Sequence, residues 1–228
     1  MVLIAFLTLG VTHSYSYNET MKDPKRYFIT GIDTNIGKTV VSSIVTQALE
    51  ADYWKPVQAG DLDTSDSLKV ASLLSNQHSK IHPEAYRLNT PASPHYAAAV
   101  DGITIDERQF VLPETDNHLV VEGAGGLFVP LNDHYLLIDL IKDLEIPVLL
   151  VANFYLGSIN HTLSSIDALK ARSIPIAGLL FNGPITPASK EYILAYSQIP
   201  CLGEIPTLTT LNSENIAQQA VNLRTNLL

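Results

Sequence analysis

The segment Gly31-Ile32-Asp33-Thr34-Asn35-Ile36-Gly37-Lys38-Thr39 has the residue types and spacing to hold a phosphate. Gly37 lets the backbone come close to an anion. Lys38 brings an ammonium that can reach the β- and γ-phosphates of a nucleotide, and the Thr39 hydroxyl can ligate a divalent cation. A short apolar run over 27–30 reads as a strand leading in, and 38–49 reads as a helix leading out. In that setting successive N–H groups and the positive end of the helix point at one spot. The strict phosphate-loop pattern leaves four residues between its glycines. Here five separate Gly31 from Gly37, and Ile32 stands where a strict match would begin. An ordinary strand-to-helix turn that happens to contain Gly-Lys-Thr is the alternative. The flanking strand and helix favour nucleotide binding by residues 33–39.

A phosphate loop of this kind needs a second metal ligand, usually an acid at the end of another strand. Glu122 follows the apolar Leu119-Val120-Val121 and precedes Gly123-Ala124-Gly125-Gly126, glycines that permit close backbone approach. A carboxylate beside a buried strand is costly unless paired or metal-bound, so Glu122 reads as functional. Asp66 taken alone reads as an acid in the first turn of a helix. With Thr39 and Glu122 it completes the one or two carboxylates that Mg²⁺ takes alongside waters and phosphate oxygens.

Short apolar runs alternate with helical stretches, the pattern of parallel βαβ units. Strands are expected over 27–30, 53–55, 119–121, 147–152 and 174–181. Helices are expected over 38–49, 66–74, 136–144, 159–172 and 213–228. Residues 147–152 (PVLLVA) suit a central strand buried on both faces. The expected fold is α/β, a mostly parallel sheet with helices on both faces, of the P-loop nucleotide-hydrolase type. Ligands of such sheets sit at the carboxyl ends of the strands, where the motifs above fall. Residues 76–117 are the least regular, rich in proline, and read as a functional insertion.

The 228 residues suit a single domain over 21–228; 46% are hydrophobic and 16% charged, which excludes a disordered chain. Fourteen Lys and Arg against 23 Asp and Glu give a net charge of −9, unsuited to nucleic acid or an anionic membrane. The lone Cys201 excludes an internal disulfide and a cysteine zinc site, and a reducing, cytoplasmic setting is the default. The apolar run over 2–11 is too short to span a bilayer and has no basic residue before it. Residues 1–20 read as an extension, loosely packed or disordered, upstream of a more natural start at Met21, with a secretory signal as the alternative. The histidines other than His95 lack metal-ligand spacing and are expected on the surface.

Six motifs in order, namely the loop 31–39, Trp54-Lys55-Pro56-Val57-Gln58, Ser93-Pro94-His95, Val121-Glu122-Gly123-Ala124-Gly125-Gly126, Asn160-His161-Thr162 and Gly203-Glu204-Ile205-Pro206, closely resemble the dethiobiotin synthetases of biotin biosynthesis. The resemblance runs from about Arg26 to the C-terminus, and that family shares the five-residue spacing in the loop. It implies an ATP- and Mg²⁺-dependent ligase, a homodimer with its substrate site at the interface. The substrates implied are 7,8-diaminopelargonic acid and CO₂ or bicarbonate, joined through a carbamate and a carbamic–phosphoric anhydride. It implies Lys38 and Lys55 as catalytic, Lys38 on the β- and γ-phosphates and Lys55 between carbamate and γ-phosphate. Thr39, Asp66 and Glu122 are implied for the metal, and Gly123, Ala124 and Gly125 beside the nucleotide. The adenine site would fall on Asn182, Pro206, Thr207 and Leu208, and the substrate site on Ala59 and Asn160. Asn182 alone reads equally as a turn residue, and Asn160 as a helix N-cap. The family often carries Ser or Thr where this chain has Ala59, so a backbone amide or a water substitutes there, or affinity is weaker. Ser93-Pro94-His95 reads as shaping the substrate loop.

Two other readings stand beside this one. A related amidoligase acting on a larger acid would need a glutaminase with a catalytic Cys, and Cys201 has no His motif near it. A nucleotide-switched regulator or metal-insertion chaperone of the same group would leave Lys55-Pro56-Val57 without a role.

Overall fold

The computed structural model describes residues 24–228. The extension expected over 1–20 and the start expected at Met21 lie outside the described residues. The strands are β1 (Arg26–Gly31), β2 (Asp52–Trp54), β3 (Val57–Ala59), β4 (Ile81–His82), β5 (Tyr86–Leu88), β6 (Leu119–Gly126), β7 (Val148–Ala152), β8 (Ile176–Asn182) and β9 (Cys201–Ile205). The helices are α1 (Lys38–Leu49), α2 (Asp66–Leu73), α3 (Pro94–Asp101), α4 (Leu137–Leu144), α5 (Ser158–Ala171), α6 (Pro187–Ser197) and α7 (Ser213–Leu227). Seven strands form one sheet in the order β4-β2-β6-β1-β7-β8-β9, every pairing parallel, while β3 and β5 make a separate parallel pair.

The two-residue period of the strands splits the core into two layers. Tyr27, Ile29, Val120, Leu149 and Val151 pack beneath α1, α2 and α7, through Val41, Ile44, Val70 and Leu223. Phe28, Leu119, Val121, Val148 and Leu150 pack beneath α3, α4, α5 and α6, through Ala97, Ile138, Ile141, Leu169 and Ile193. Helices therefore cover both faces, as expected. By the same parity Glu122 shares the face of Val120, under α1. All strands of the main sheet run in one direction, so their carboxyl ends gather β1, β2 and β6 with the loops that follow them.

The insertion is more ordered than the sequence suggests. It contains β4, which adds an edge strand beside β2, and β5, which pairs with β3. It also contains α3. The anchor is Asp52, a buried carboxylate at the start of β2. Its oxygens accept from Lys80 N at 3.0 Å, Asn117 Nδ2 at 3.1 Å and Thr115 Oγ1 at 2.9 Å, and His82 Nε2 lies 2.9 Å away. Two histidines expected on the surface are therefore half-buried and structural. His82 pairs with Asp52, and His118 Nδ1 accepts from Lys25 N at 2.7 Å. Burial pushes the Asp52 carboxyl up, but the donors around it outweigh that and hold it below its usual value.

Asp52→Ala strands these donors and is expected to cost about 1–3 kcal/mol at neutral pH. A group held low in the folded state stabilises above its unfolded value, about 3.9, and the benefit fades as pH falls through the folded value. Urea unfolding at pH 7 and at about pH 3 checks this: the gap between wild type and variant narrows in acid.

Candidate active site

The loop after β1 ends at Gly37, whose φ of 87° is left-handed and suits glycine, and α1 begins at Lys38. Asn35 is also left-handed, with φ 59°. The Ile36 side chain is buried in the layer under α1, while Asp33, Thr34 and Asn35 are exposed. Lys38 is buried, and its Nζ donates to Asp33 O at 2.8 Å. Burial pushes the Lys38 ammonium down to about 8; Glu122 pulls the other way and Lys55 adds to the fall.

A second group of side chains meets this loop. Thr39 Oγ1 lies 2.8 Å from Asp66 Oδ1 and 2.9 Å from Glu122 Oε1. Lys55 Nζ lies 2.7 Å from Asp66 Oδ2 and 3.4 Å from Glu122 Oε1. Lys55 is 4% exposed and Glu122 1%, so these charges depend on one another. Burial pushes the Lys55 ammonium down, yet the two carboxylates outweigh it and hold it above its ordinary value. Burial pushes Asp66 up, and Lys55 outweighs it, leaving the carboxyl low. Both groups are thus charged at neutral pH.

Thr39 has one hydroxyl proton for two carboxylates. Three hard oxygens from three elements converge there, a donor set that fits Mg²⁺. Among the described residues no cluster of three or more His, Cys, Asp or Glu is built for a metal. A cation at Thr39, Asp66 and Glu122 would therefore complete its shell with nucleotide phosphate and water.

Two supports of this group were not legible in the sequence. Tyr53, fully buried in β2, donates its O–H to Glu122 Oε2 at 2.9 Å. Burial and then Glu122 raise its phenol well above the usual value, so it stays a donor. Gln58, also buried, accepts from Asp66 N at 3.1 Å and donates to Gly60 O at 2.9 Å, which fixes the start of α2. In the sequence Tyr53 reads only as part of a short strand and Gln58 only as part of a family motif, with no role for either. The one available signal was the two-residue step from Tyr53 to Lys55, which puts both on one face.

A cavity of about 520 Å³ joins the pieces. Thr34 and Asn35 of the loop, Lys55, Asp66, and Ala124 and Gly125 after β6 line it. Val57, Ala59, Pro91, Pro94 and Val129 add an apolar wall. Ala59 faces this cavity, and the neighbouring Gly60 amide is not free, since it donates to Leu88 O at 2.8 Å. Ser93 and Pro94, at the start of α3, line it too, with Ser93 Oγ 3.1 Å from His95 Nδ1.

The remaining expected residues lie elsewhere. Asn182 ends β8, and its Nδ2 donates to Ile36 O at 2.8 Å, tying β8 to the phosphate loop. Gly183 N donates to Ile205 O at 2.8 Å, so Asn182 and the stretch Pro206, Thr207 and Leu208 sit side by side at the ends of β8 and β9. Asn160 is exposed in the first turn of α5 and is not that helix's N-cap, which is Gly157. Asn160 does not line the cavity with Lys55.

The sheet, loop and convergent Thr, Asp and Glu oxygens define a P-loop nucleotide-dependent protein. The solved MinD cell division ATPase of Pyrococcus furiosus has the same fold, with TM-score 0.57 at 15% identity over 90% of this chain and 99% of that one. A chain of a MinC:MinD cell division protein complex from Aquifex aeolicus gives 0.55 at 13% identity over 88% and 96%. A family model described as an AAA domain matches residues 25–215. Sequence relatives narrow the class. An ATP-dependent dethiobiotin synthetase of Christiangramia forsetii is 53% identical over 182 residues, 80% of this chain and 87% of that protein. One from Cytophaga hutchinsonii is 48% identical over 87% of this chain and 97% of its own. A bifunctional biotin biosynthesis protein of Bordetella avium is 43% identical over 90% of this chain, which spans 44% of its length. The chain belongs to the dethiobiotin synthetase family and is an enzyme of the ligase class.

Any side chain at position 37 meets the Asn182 amide and strains a left-handed backbone. Gly37→Ala is expected to cost about 1–3 kcal/mol in stability and to weaken nucleotide binding. A melt and an ATP titration check both; unchanged nucleotide affinity would detach the loop from that role.

Proposed function

We propose that this enzyme, acting in biotin biosynthesis, uses ATP to carboxylate 7,8-diaminopelargonic acid and close the ring of dethiobiotin. The single observation that carries the reading is the buried Lys55 ammonium, held by Asp66 and Glu122, in one cavity with Thr34 and Asn35 of the phosphate loop. The names of the relatives support the ATP dependence and the product.

In this reading one amine of the substrate adds to CO₂ and gives a carbamate. A carbamate oxygen attacks the γ-phosphorus, ADP leaves, and a carbamic–phosphoric anhydride forms. The second amine attacks the anhydride carbon, phosphate leaves with the C–O electron pair, and the ureido ring closes. The difficulty lies in bringing one anion to another, so positive charge and positioning supply most of the catalysis. Lys38 neutralises the β- and γ-phosphates. Lys55 holds the carbamate in line with the γ-phosphate. Thr39, Asp66 and Glu122 would hold Mg²⁺, which when bound would supply further positive charge beside the phosphates. Residues 33–37 and Gly123 to Gly125 bring backbone amides and small side chains against the nucleotide. Asn182 keeps one amide hydrogen and its oxygen for the adenine edge, beside Pro206, Thr207 and Leu208. The apolar wall at Val57, Ala59 and Val129 suits the alkyl chain of the diamine. Asn160 lies outside the cavity, which fits a role at a partner's site in a homodimer.

The direct test mixes the protein with ATP, Mg²⁺, bicarbonate and 7,8-diaminopelargonic acid and looks for dethiobiotin by mass; no product under any of these conditions sinks the reading. Lys55→Ala is expected to lower turnover at least about 10²-fold without weakening ATP binding. An equal loss of ATP affinity would remove Lys55 from its place at the carbamate. Glu122→Gln is expected to shift the Mg²⁺ titration of activity to higher concentration, and an unmoved curve would exclude it as a ligand.

A further inference from the structure

Glu122 turns its two carboxylate oxygens to opposite sides. Oε1 faces Thr39 and Lys55, the oxygens and charge of the catalytic corner. Oε2 turns the other way and accepts the phenol O–H of Tyr53 at 2.9 Å. Among the described residues Tyr53 is the only donor to that oxygen. The phenol cannot swing aside. Its ring is fully buried in the layer of Ile29, Ile44, Val45, Val70 and Val120, under α1. Strand register adds to this: Tyr53 pairs with Val120 of β6, so the phenol reaches one same-face step along to Glu122.

A carboxylate with both oxygens free can rotate and grip a cation through both. Ca²⁺ accepts that bidentate mode at 2.3–2.6 Å, whereas Mg²⁺ demands near-octahedral geometry at about 2.0–2.1 Å and suits a single oxygen from each acid. We propose that Tyr53 is a positioning residue that locks Glu122 into presenting Oε1 alone, and thereby favours Mg²⁺ over Ca²⁺ at the corner formed with Thr39 and Asp66. The proposal rests on the reading of Glu122 as a metal ligand. Partners that orient ligating groups commonly matter about 10–100-fold in metal affinity. Tyr53→Phe keeps the ring and removes only the donor.

The test measures Mg²⁺ and Ca²⁺ binding by calorimetry on the ADP-loaded full chain, for wild type, Tyr53→Phe, Glu122→Gln and the double variant. Melting without ligand reports the fold. Tyr53→Phe is expected to weaken Mg²⁺ about tenfold and to leave Ca²⁺ unchanged or tighter. In the Glu122→Gln background, Tyr53→Phe is expected to change neither ion further. Unchanged Mg²⁺ affinity, or equal loss for both ions, overturns the proposal. Equal effects of Tyr53→Phe with and without Glu122 overturn it as well. If the single variant fails to fold, the double variant, which leaves no charged oxygen unpaired, still reports against Glu122→Gln. A Glu122→Gln protein that binds Mg²⁺ as wild type does would sink the ligand reading itself, whereas a change there with none in Tyr53→Phe sinks only the role of Tyr53.

Discussion

A buried ammonium between two carboxylates is the constraint on which the site depends. Removing Lys55 and Glu122 from water is expensive, and their mutual attraction, with Asp66, has to offset it. Stability alone does not explain such a group, because apolar residues of similar volume often serve a core as well. The group does keep three oxygens and an ammonium within a few ångströms of the phosphate loop. A divalent cation can use the oxygens that hold the ammonium, and Lys55 is then available to an anion in the cavity. Paired charges so arranged are suited to exchange partners, as the proposed phosphoryl transfer would require.

The fold supplies this arrangement through ordinary strand geometry. In a parallel sheet every strand ends at the same edge, so β1, β2 and β6 deliver the loop, Lys55 and Glu122 to one place. Alternation along β6 sends Val120 and Glu122 to the face covered by α1, whose first turn carries Lys38 and Thr39. Asp66 comes from outside the sheet. It opens α2, and Gln58 holds the backbone there, so the short β3–β5 pair acts as a brace for Asp66. Asp52 plays the matching role at the other end of β2, tying down the insertion that walls the cavity.

Much of this was legible. Strong periodic signals gave β1, α1, β7 and α7 within a residue or two, because buried parallel strands and their helices must be apolar in recognisable periods. Glu122 stood out as a charge against an apolar strand. What escaped was stabilised by tertiary contact in place of local preference. β3, β4 and β5 have two or three residues each, too few for any period, and they exist through pairing. The edge strand β9 carries Gly203 and Glu204 and looks like loop. α6 keeps Tyr192 and Tyr196 on an exposed face, which blurs its apolar stripe. β6 runs on through Gly123 to Gly126, beyond the expected end at Val121. The supports of the site were hidden for a further reason. Tyr53 acts through a hydrogen bond to Glu122 on another strand, and Gln58 through the backbone of Asp66, roles that strand periodicity does not specify.

The central claim is that the carboxylates at position 66 and 122 need a positive charge and accept it from either Lys55 or a metal–nucleotide complex. The most direct measurement is the melting temperature of Lys55→Met, with and without Mg²⁺ and a non-hydrolysable ATP analogue. Methionine keeps the bulk and removes the charge, so the account predicts a loss of about 3 kcal/mol without ligand. It predicts that the complex restores stability by more than it adds to the wild type. A variant as stable as wild type, or one that the metal–nucleotide complex stabilises no more than wild type, would contradict it.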